Sequence, residues 1–371
     1  MLRHPLRSLT LIVLATAVVF VPALLAQDPA AADDQYEFDD VHFHLTNYIQ
    51  EGTSIRDFLN IMGTTTGRSV LFGIPLQQQW SYRISGDDAP TYYLQTDAPL
   101  YYYSFTDAHI ALAYLSLSRE EQARFDPMIT GFNPADAYAP DHIRRVLRTF
   151  PGVFTGIGEF TIYKEFVSSK ISGGIPSLLD PAVDRIFDLA EEAGLLVLIH
   201  NDVDMPSPSL DKPPAYLDEM EALLRRHPRT TIIWAHMGVD RVVRPINHYM
   251  QMVENILKDP ELGHVMFDIS SDEMAKYVVA SPESLKIVSD VINRYPDRFL
   301  FGTDSIAPKN EQEYSKTYRI YEPLWALLTK EANIKVRKGN YERIFDEAKR
   351  NVRVWEANQL SESSAAVPAT R

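Results

Sequence analysis

From Phe38 onward, short apolar runs alternate with longer stretches in which apolar positions recur every three or four residues. Runs such as LLVLIH and TIIWAH suit strands buried on both faces, and the intervening 3.6-residue period suits amphipathic helices. The pattern predicts strands at Phe38–Leu45, Ser69–Pro75, Phe125–Gly131, Phe154–Phe160, Leu195–His200, Thr231–His236, His264–Ile269 and Phe299–Thr303. Helices are expected at Ser54–Met62, Ala108–Ser116, Asp141–Phe150, Pro181–Ala193, Pro214–His227, Pro245–Leu257 and Pro282–Tyr295. Several begin with proline, whose missing N–H costs nothing in a first turn. This alternation specifies an α/β fold with a parallel sheet, and eight units over residues 37–358 fit one TIM-type (β/α)8 barrel. Glu311–Glu356 reads as a C-terminal helical segment, and residues 359–371 as a disordered tail.

One segment breaks the rhythm. Between the second and third strands lies an insertion carrying Trp80, Tyr82, Tyr92, Tyr93, Tyr101, Tyr102, Tyr103 and Phe105. A long loop leaving the C-terminal end of a strand is placed to cover the barrel mouth. The same aromatics could equally form a small core of the insertion, and the two readings are compatible. Tyr102 is a candidate substrate contact.

The first 26 residues read as an export signal. Arg3 and Arg7 precede an almost wholly apolar run from Leu9 to Leu25, and Ala26 offers a small residue for cleavage. The run is slightly short of a bilayer span, so an uncleaved N-terminal anchor is the alternative. Residues 27–36 form a linker rich in Ala and Asp. The expected location is therefore periplasmic or secreted.

With 36 basic and 50 acidic residues, the chain has a net charge of −14 and no basic stripe. That argues against nucleic acid or an anionic membrane surface as partner and for a small-molecule substrate. The absence of cysteine excludes disulfides, thiolate nucleophiles and thiolate metal sites. Any metal must rely on nitrogen and oxygen ligands.

Such ligands cluster at strand ends. His42 and His44 in VHFHL, Glu159 in GIGEF, His200 in LLVLIH, His236 in TIIWAH and Asp304 in FGTD each close a predicted strand. In a parallel barrel those ends share one mouth, so distant residues can converge on a single site. His42 and His44, two apart, face one side of their strand and can chelate one ion. His200 and Asp304 extend the set. His236 could complete it, or stay free to move a proton; a packed histidine is the plain alternative. Asp304 could also accept a proton from a water that the ion acidifies, or merely cap a helix. Glu159 decides the metal count. A one-metal site with Glu159 in support is the expected reading, and a carboxylate bridging two ions is the alternative. Zinc is the expected metal, with Mn, Fe, Co or Ni also compatible with these ligands. Lys164, in TIYKEFVSS just beyond Glu159, is a candidate for holding an anionic substrate group.

In this order, HxH, GIGE, LIH, WAHMG and FGTDS resemble the amidohydrolase superfamily. The branch they most resemble is the amidohydrolase-related (type 2) family, which includes aminocarboxymuconate semialdehyde decarboxylase. The closing KVRKGNYERIFDEA is similar to that branch's terminal stretch. The resemblance implies that His42, His44, His200 and Asp304 bind the ion and that His236 handles the water. Glu159 matches the position that bridges two metals in the superfamily's deoxyribonuclease branch. The implied reaction is hydrolysis of an amide, ester, lactone or phosphoester, with decarboxylation or hydration as variants. The decarboxylases place an arginine against the substrate carboxylate, and Arg68 and Arg241 are the positional candidates here. A barrel that binds without turnover is the reading from a different class. The branch is often dimeric, which makes a homodimer a further expectation.

Overall fold

Eight short strands pair in parallel and in chain order: β1 (Phe38–Asp40), β2 (Thr66–Leu71), β3 (Phe125–Ile129), β4 (Gly156–Thr161), β5 (Leu196–His200), β6 (Ile232–Trp234), β7 (Val265–Asp268) and β8 (Phe299–Leu300). The computed structural model describes residues 36–365 except 47, 78–98 and 207–211. The expected signal, nearly all of the linker and the insertion aromatics Trp80, Tyr82, Tyr92 and Tyr93 lie outside the described residues. The first and last strands are joined beyond their regular parts. Val41 N–H donates to the Phe301 carbonyl at 3.1 Å, and Asp304 N–H to the His42 carbonyl at 2.8 Å. Ser305–Ile306 then pairs in parallel with Phe43–His44. These bonds complete the TIM-type barrel.

Side-chain parity divides the core into two layers. Val70, Met128, Leu196, Leu198, Ile233, Met266 and Leu300 point inward and fill the barrel. Their neighbours Leu71, Ile129, Val197, Ile199, Ile232, Trp234, Val265 and Phe267 pack outward against the helices. The helices follow the predicted periods closely, from Ile55–Met62 and Pro181–Ala193 to Pro282–Arg294. Ser54, Asp180 and Ser281 cap these three with side-chain oxygens. One short helix after β7, Asp272–Val278, has no counterpart in the periodicity.

The last helix, Asn340–Ala365, turns Tyr341, Ile344, Phe345 and Ala348 onto the inner layer. It runs past the expected boundary at 358, because Glu356, Ala357, Gln359 and Leu360 are good helix formers that simply continue its turns. Arg68 belongs to this end of the molecule. It lies at the N-terminal part of β2, where Nη2 meets Asp126 Oδ2 at 2.7 Å and Nη1 meets Asp346 at 2.8 Å. Arg68, a candidate for holding a substrate carboxylate, is not brought to the mouth: it lies in the N-terminal half of its strand, before the C-terminal end at Leu71 that faces the site, and its guanidinium is taken up by Asp126 and Asp346.

The described part of the aromatic insertion is an antiparallel pair, Leu76–Gln77 with Tyr101–Tyr102. Leu76 and Leu100 pack with Val167 and Ile171 from the loop after β4, and Tyr102 lies against this cluster. No helix among the described residues is long and apolar enough to cross a membrane.

Candidate metal centre

Strand parity delivers most of the site. His200 follows Leu196 and Leu198 on the inward face of β5, and Asp268 follows Met266 on β7. Glu159 breaks the rule, since strict alternation from the outward Ile157 would turn it outward. The register with β5 shifts here: Ile157 pairs with Val197 but Phe160 with Ile199. Such a bulge re-aims one side chain, and it leaves Glu159 inward while Phe160 stays outward. Gly158 makes room for it. Its φ is +136°, and a Cβ there would lie 2.4 Å from the Leu198 carbonyl oxygen. Thr130 Oγ1 donates to the Glu159 carbonyl at 2.7 Å and fixes the bulge.

At the mouth these side chains converge. His42 Nε2 lies 3.5 Å and His44 Nε2 3.3 Å from Asp304 Oδ1. The same nitrogens lie 3.8 and 3.6 Å from Glu159 Oε2. The other oxygen of Glu159 faces the second half of the site, 2.6 Å from His200 Nδ1 and 3.8 Å from His236 Nε2. His42, His44 and Asp304 thus form one ligand group, and Glu159, His200 and His236 another. Two backbones are held in the left-handed region to achieve this, His236 at φ 50° and Asp304 at φ 53°. Asp304 N–H is tied to the His42 carbonyl, and His236 N–H to Asp268 Oδ1 at 2.8 Å.

The arrangement fits a divalent ion. Ligands about 2.0–2.1 Å from a tetrahedral ion stand roughly 3.4 Å apart, close to the separations in the first group. His42 Nε2 is fully buried and has no hydrogen-bond partner, although acceptor oxygens surround it. Charge points the same way. Four buried carboxylates (Glu159, Asp202, Asp240 and Asp268) and the partly exposed Asp304 meet, among the described residues, one ammonium, that of Lys164. The imidazoles must then take up protons, or cations must enter. Burial opposes charge on His42, but the adjacent Asp268 carboxylate overrides it and raises the ring to about 10. Burial likewise works against Glu159 ionising, yet Lys164 and His200 hold its carboxyl well below the usual range. Asp304 is also held low against burial, by His236, His44 and His42. The His236 ring is pushed down, chiefly by burial.

Lys164 reaches the centre: its Nζ is 3.5 Å from Glu159 Oε1. Tyr102 sits on the insertion cluster beside the loop that carries Lys164. Arg241 is exposed, and its backbone N–H donates to Asp240. Sequence reasoning missed four acids. Asp268 binds His42 Nδ1 at 2.9 Å, while Asp202 and Asp240 both approach His200 Nε2 at 3.3 Å. Asp40 accepts from His42 N–H, Thr303 N–H and Oγ1, and Tyr314 OH, locking β1 to the β8 loop. Asp40, Asp202 and Asp268 stand at or within two residues of a strand end (FDD, IHND, FDIS), a signal present in the sequence, whereas Asp240 lies six residues beyond β6. Three histidines away from the centre have other partners: His142 with Asp107, His227 with Asp184, His264 with the Leu224 carbonyl.

Comparison with known proteins agrees with the fold. An uncharacterized TIM-barrel protein of Bordetella bronchiseptica aligns with a TM-score of 0.50 and 13% identity, over 80% of this chain and 83% of that one. A probable 2-pyrone-4,6-dicarboxylic acid hydrolase of Acinetobacter baumannii, with citric acid bound, also gives 0.50 at 11% identity, covering 84% and 99%. A 5-carboxyvanillate decarboxylase of Sphingomonas paucimobilis gives 0.45 at 14% identity, covering 84% and 99%. No curated protein matches by sequence. The type 2 amidohydrolase family model, however, matches residues 39–346, which carry every residue of the two ligand groups, and the chain belongs to that family of metal-dependent enzymes.

Proposed function

We propose that this protein is a metal-dependent hydrolase of a small amide, ester or lactone. One observation carries the reading: the two oxygens of Glu159 face two different ligand groups. That geometry favours two divalent ions sharing Glu159 over the single ion expected from sequence. Zinc suits the nitrogen and oxygen donors, and manganese does as well. Bound ions would supply Lewis-acid polarisation of the scissile carbonyl and an acidified water. In this assignment His42, His44, Asp304, Glu159, His200 and His236 are the ligands. Asp304 Oδ takes the proton of the attacking water and returns it to the leaving group. His236 is assigned here as a ligand through Nε2, which faces Glu159 Oε1 at 3.8 Å, while Nδ1 is engaged by Ser270 at 2.8 Å. The Lys164 ammonium is placed to hold a carboxylate or the developing oxyanion, with Tyr102 near the approach.

Decarboxylation is the second reading, supported by family members of that kind. It calls for an arginine against the substrate carboxylate, and Arg68 lies at the opposite end of the barrel. Carbon dioxide release with no new carboxylate in the product would favour it over hydrolysis. The basic start and apolar run of the first 26 residues favour a periplasmic or secreted setting, and an N-terminus at Gln27 on the isolated protein is the expected sign of cleavage.

The test of the centre is metal per chain by mass spectrometry on protein isolated with and without added zinc or manganese. Two ions per chain are expected. One would return Glu159 to a supporting role, and none would overturn the metal reading.

A further inference from the structure

One carboxylate touches both halves of the centre, and neither the sequence motifs nor the family match assigns it a task. Asp268, fully buried at the end of β7, accepts four hydrogen bonds. His42 Nδ1–H reaches Oδ2 at 2.9 Å. His236 N–H, Ser270 N–H and Ser270 Oγ–H reach Oδ1 at 2.8, 3.0 and 2.5 Å. Three of these donors converge on Oδ1 and one meets Oδ2, and an ionised carboxylate, which has acceptor positions only, takes them all without offering a proton. Asp268 therefore only accepts, and the His42 proton must sit on Nδ1.

The same logic passes through Ser270. Its hydroxyl has one proton, and at 2.5 Å from Asp268 Oδ1 that proton must point to the carboxylate. Its oxygen also lies 2.8 Å from His236 Nδ1. Turning the proton to the imidazole instead would set two acceptor oxygens against each other at 2.5 Å. Ser270 Oγ is left to accept, so His236 carries its proton on Nδ1 as well.

We propose that Asp268, directly at His42 and through Ser270 at His236, sets the tautomer of one imidazole in each ligand group, leaving both Nε2 lone pairs aimed at the metal positions. Asp268 and Ser270 are positioning residues, and the inference rests on the metal-binding reading given above. His200 is the internal contrast. Its Nε2 is flanked by Asp202 and Asp240 rather than by Asp268, so its tautomer is set separately.

The consequence is asymmetric. Loss of the Ser270 hydroxyl should weaken only the ion held by His236, His200 and Glu159. Loss of the Asp268 charge should weaken both. Outer partners of metal-binding imidazoles typically change affinity about 10- to 100-fold.

The test compares wild type, Ser270→Ala, Ser270→Thr and Asp268→Asn, each checked for folding by circular dichroism. Zinc is titrated against a competing chelator, and histidine ring nitrogens are read by NMR on 15N-histidine-labelled, metal-stripped protein. Expected are an Nδ1–H tautomer of His236 in wild type and a mixed one in Ser270→Ala. One zinc of two should weaken 10- to 100-fold in Ser270→Ala, with recovery in Ser270→Thr. An Nε2–H tautomer in wild type, or unchanged zinc affinities in Ser270→Ala, would overturn the proposal. The two readings fail differently. Wild type that takes up no zinc sinks the metal centre and this inference with it, whereas two zincs held equally by wild type and Ser270→Ala sink the inference alone. The tautomer measurement does not depend on Asp268→Asn folding.

Discussion

Both ends of the barrel bury carboxylates, but they neutralise them in opposite ways. At the N-terminal end, Asp126 is fully buried and receives Arg68 Nη2 and Lys349 Nζ, each at 2.7 Å, and Tyr341 OH at 2.9 Å. Burial works against its charge, and Arg68 and Lys349 still hold its carboxyl below the ordinary value. Two fixed cations close the site around Asp126. At the mouth, five carboxylates share one lysine, and the remaining partners are imidazoles whose charge is optional. The closed cluster joins the C-terminal helix to the barrel. The open one calls for cations from outside. The kind of base supplied, rather than the number of acids, separates a structural end from a chemical end.

Three substitutions would break or sharpen that contrast. The largest effect is expected at the closed end. Arg68→Met should cost about 3–5 kcal/mol of stability, because it strands much of a buried charge. Denaturant unfolding measures this, while metal per folded chain should stay unchanged; a fall in metal content would blur the division of the two ends. Next is Lys164→Ala at the mouth. For esters or lactones bearing a carboxylate, kcat/KM should fall about 10- to 100-fold, roughly 1.4–2.8 kcal/mol. Neutral substrates should be nearly indifferent, and equal losses on both would remove Lys164 from substrate recognition.

The smallest effect concerns Asp39, which no cation at the closed end neutralises fully. Burial outweighs the help of the Arg68 N–H at 2.6 Å and pushes its carboxyl up to about 8 from 3.8. The folded chain then binds more protons than the unfolded one between about pH 4 and 8, so this group's contribution falls as pH rises through that window. Asp39→Asn keeps an acceptor for Arg68 N–H and removes the charge. It should gain about 1 kcal/mol relative to wild type at pH 8 and little at pH 4. Urea unfolding at the two pH values decides it, and an equal effect at both would refute the burial argument.

Much of the site was legible because it obeys local rules. His42, His44, His200, His236 and Asp304 stand where apolar runs end, and a parallel barrel gathers strand ends in one place. Glu159 was found by type and position, but its inward turn depends on the register shift against β5. The acids behind the ligands were harder to find. Asp268 looks like any residue closing a strand until His42, 226 positions away, is seen against it.

The sequence by itself determined the alternation of strands and helices, the barrel that follows from it, the nitrogen and oxygen ligand set, and an aromatic insertion after the second strand. Periodicity and residue chemistry are local properties, and they survive without knowledge of neighbours. Only the tertiary structure decided that Arg68 faces the closed end, that Glu159 reaches both ligand groups, and that Asp268 and Ser270 orient two imidazoles. Those outcomes depend on pairing register and on contacts between residues far apart in the chain. A one-residue shift in register turns a side chain to the other face, and nothing in its own sequence neighbourhood records which way it went.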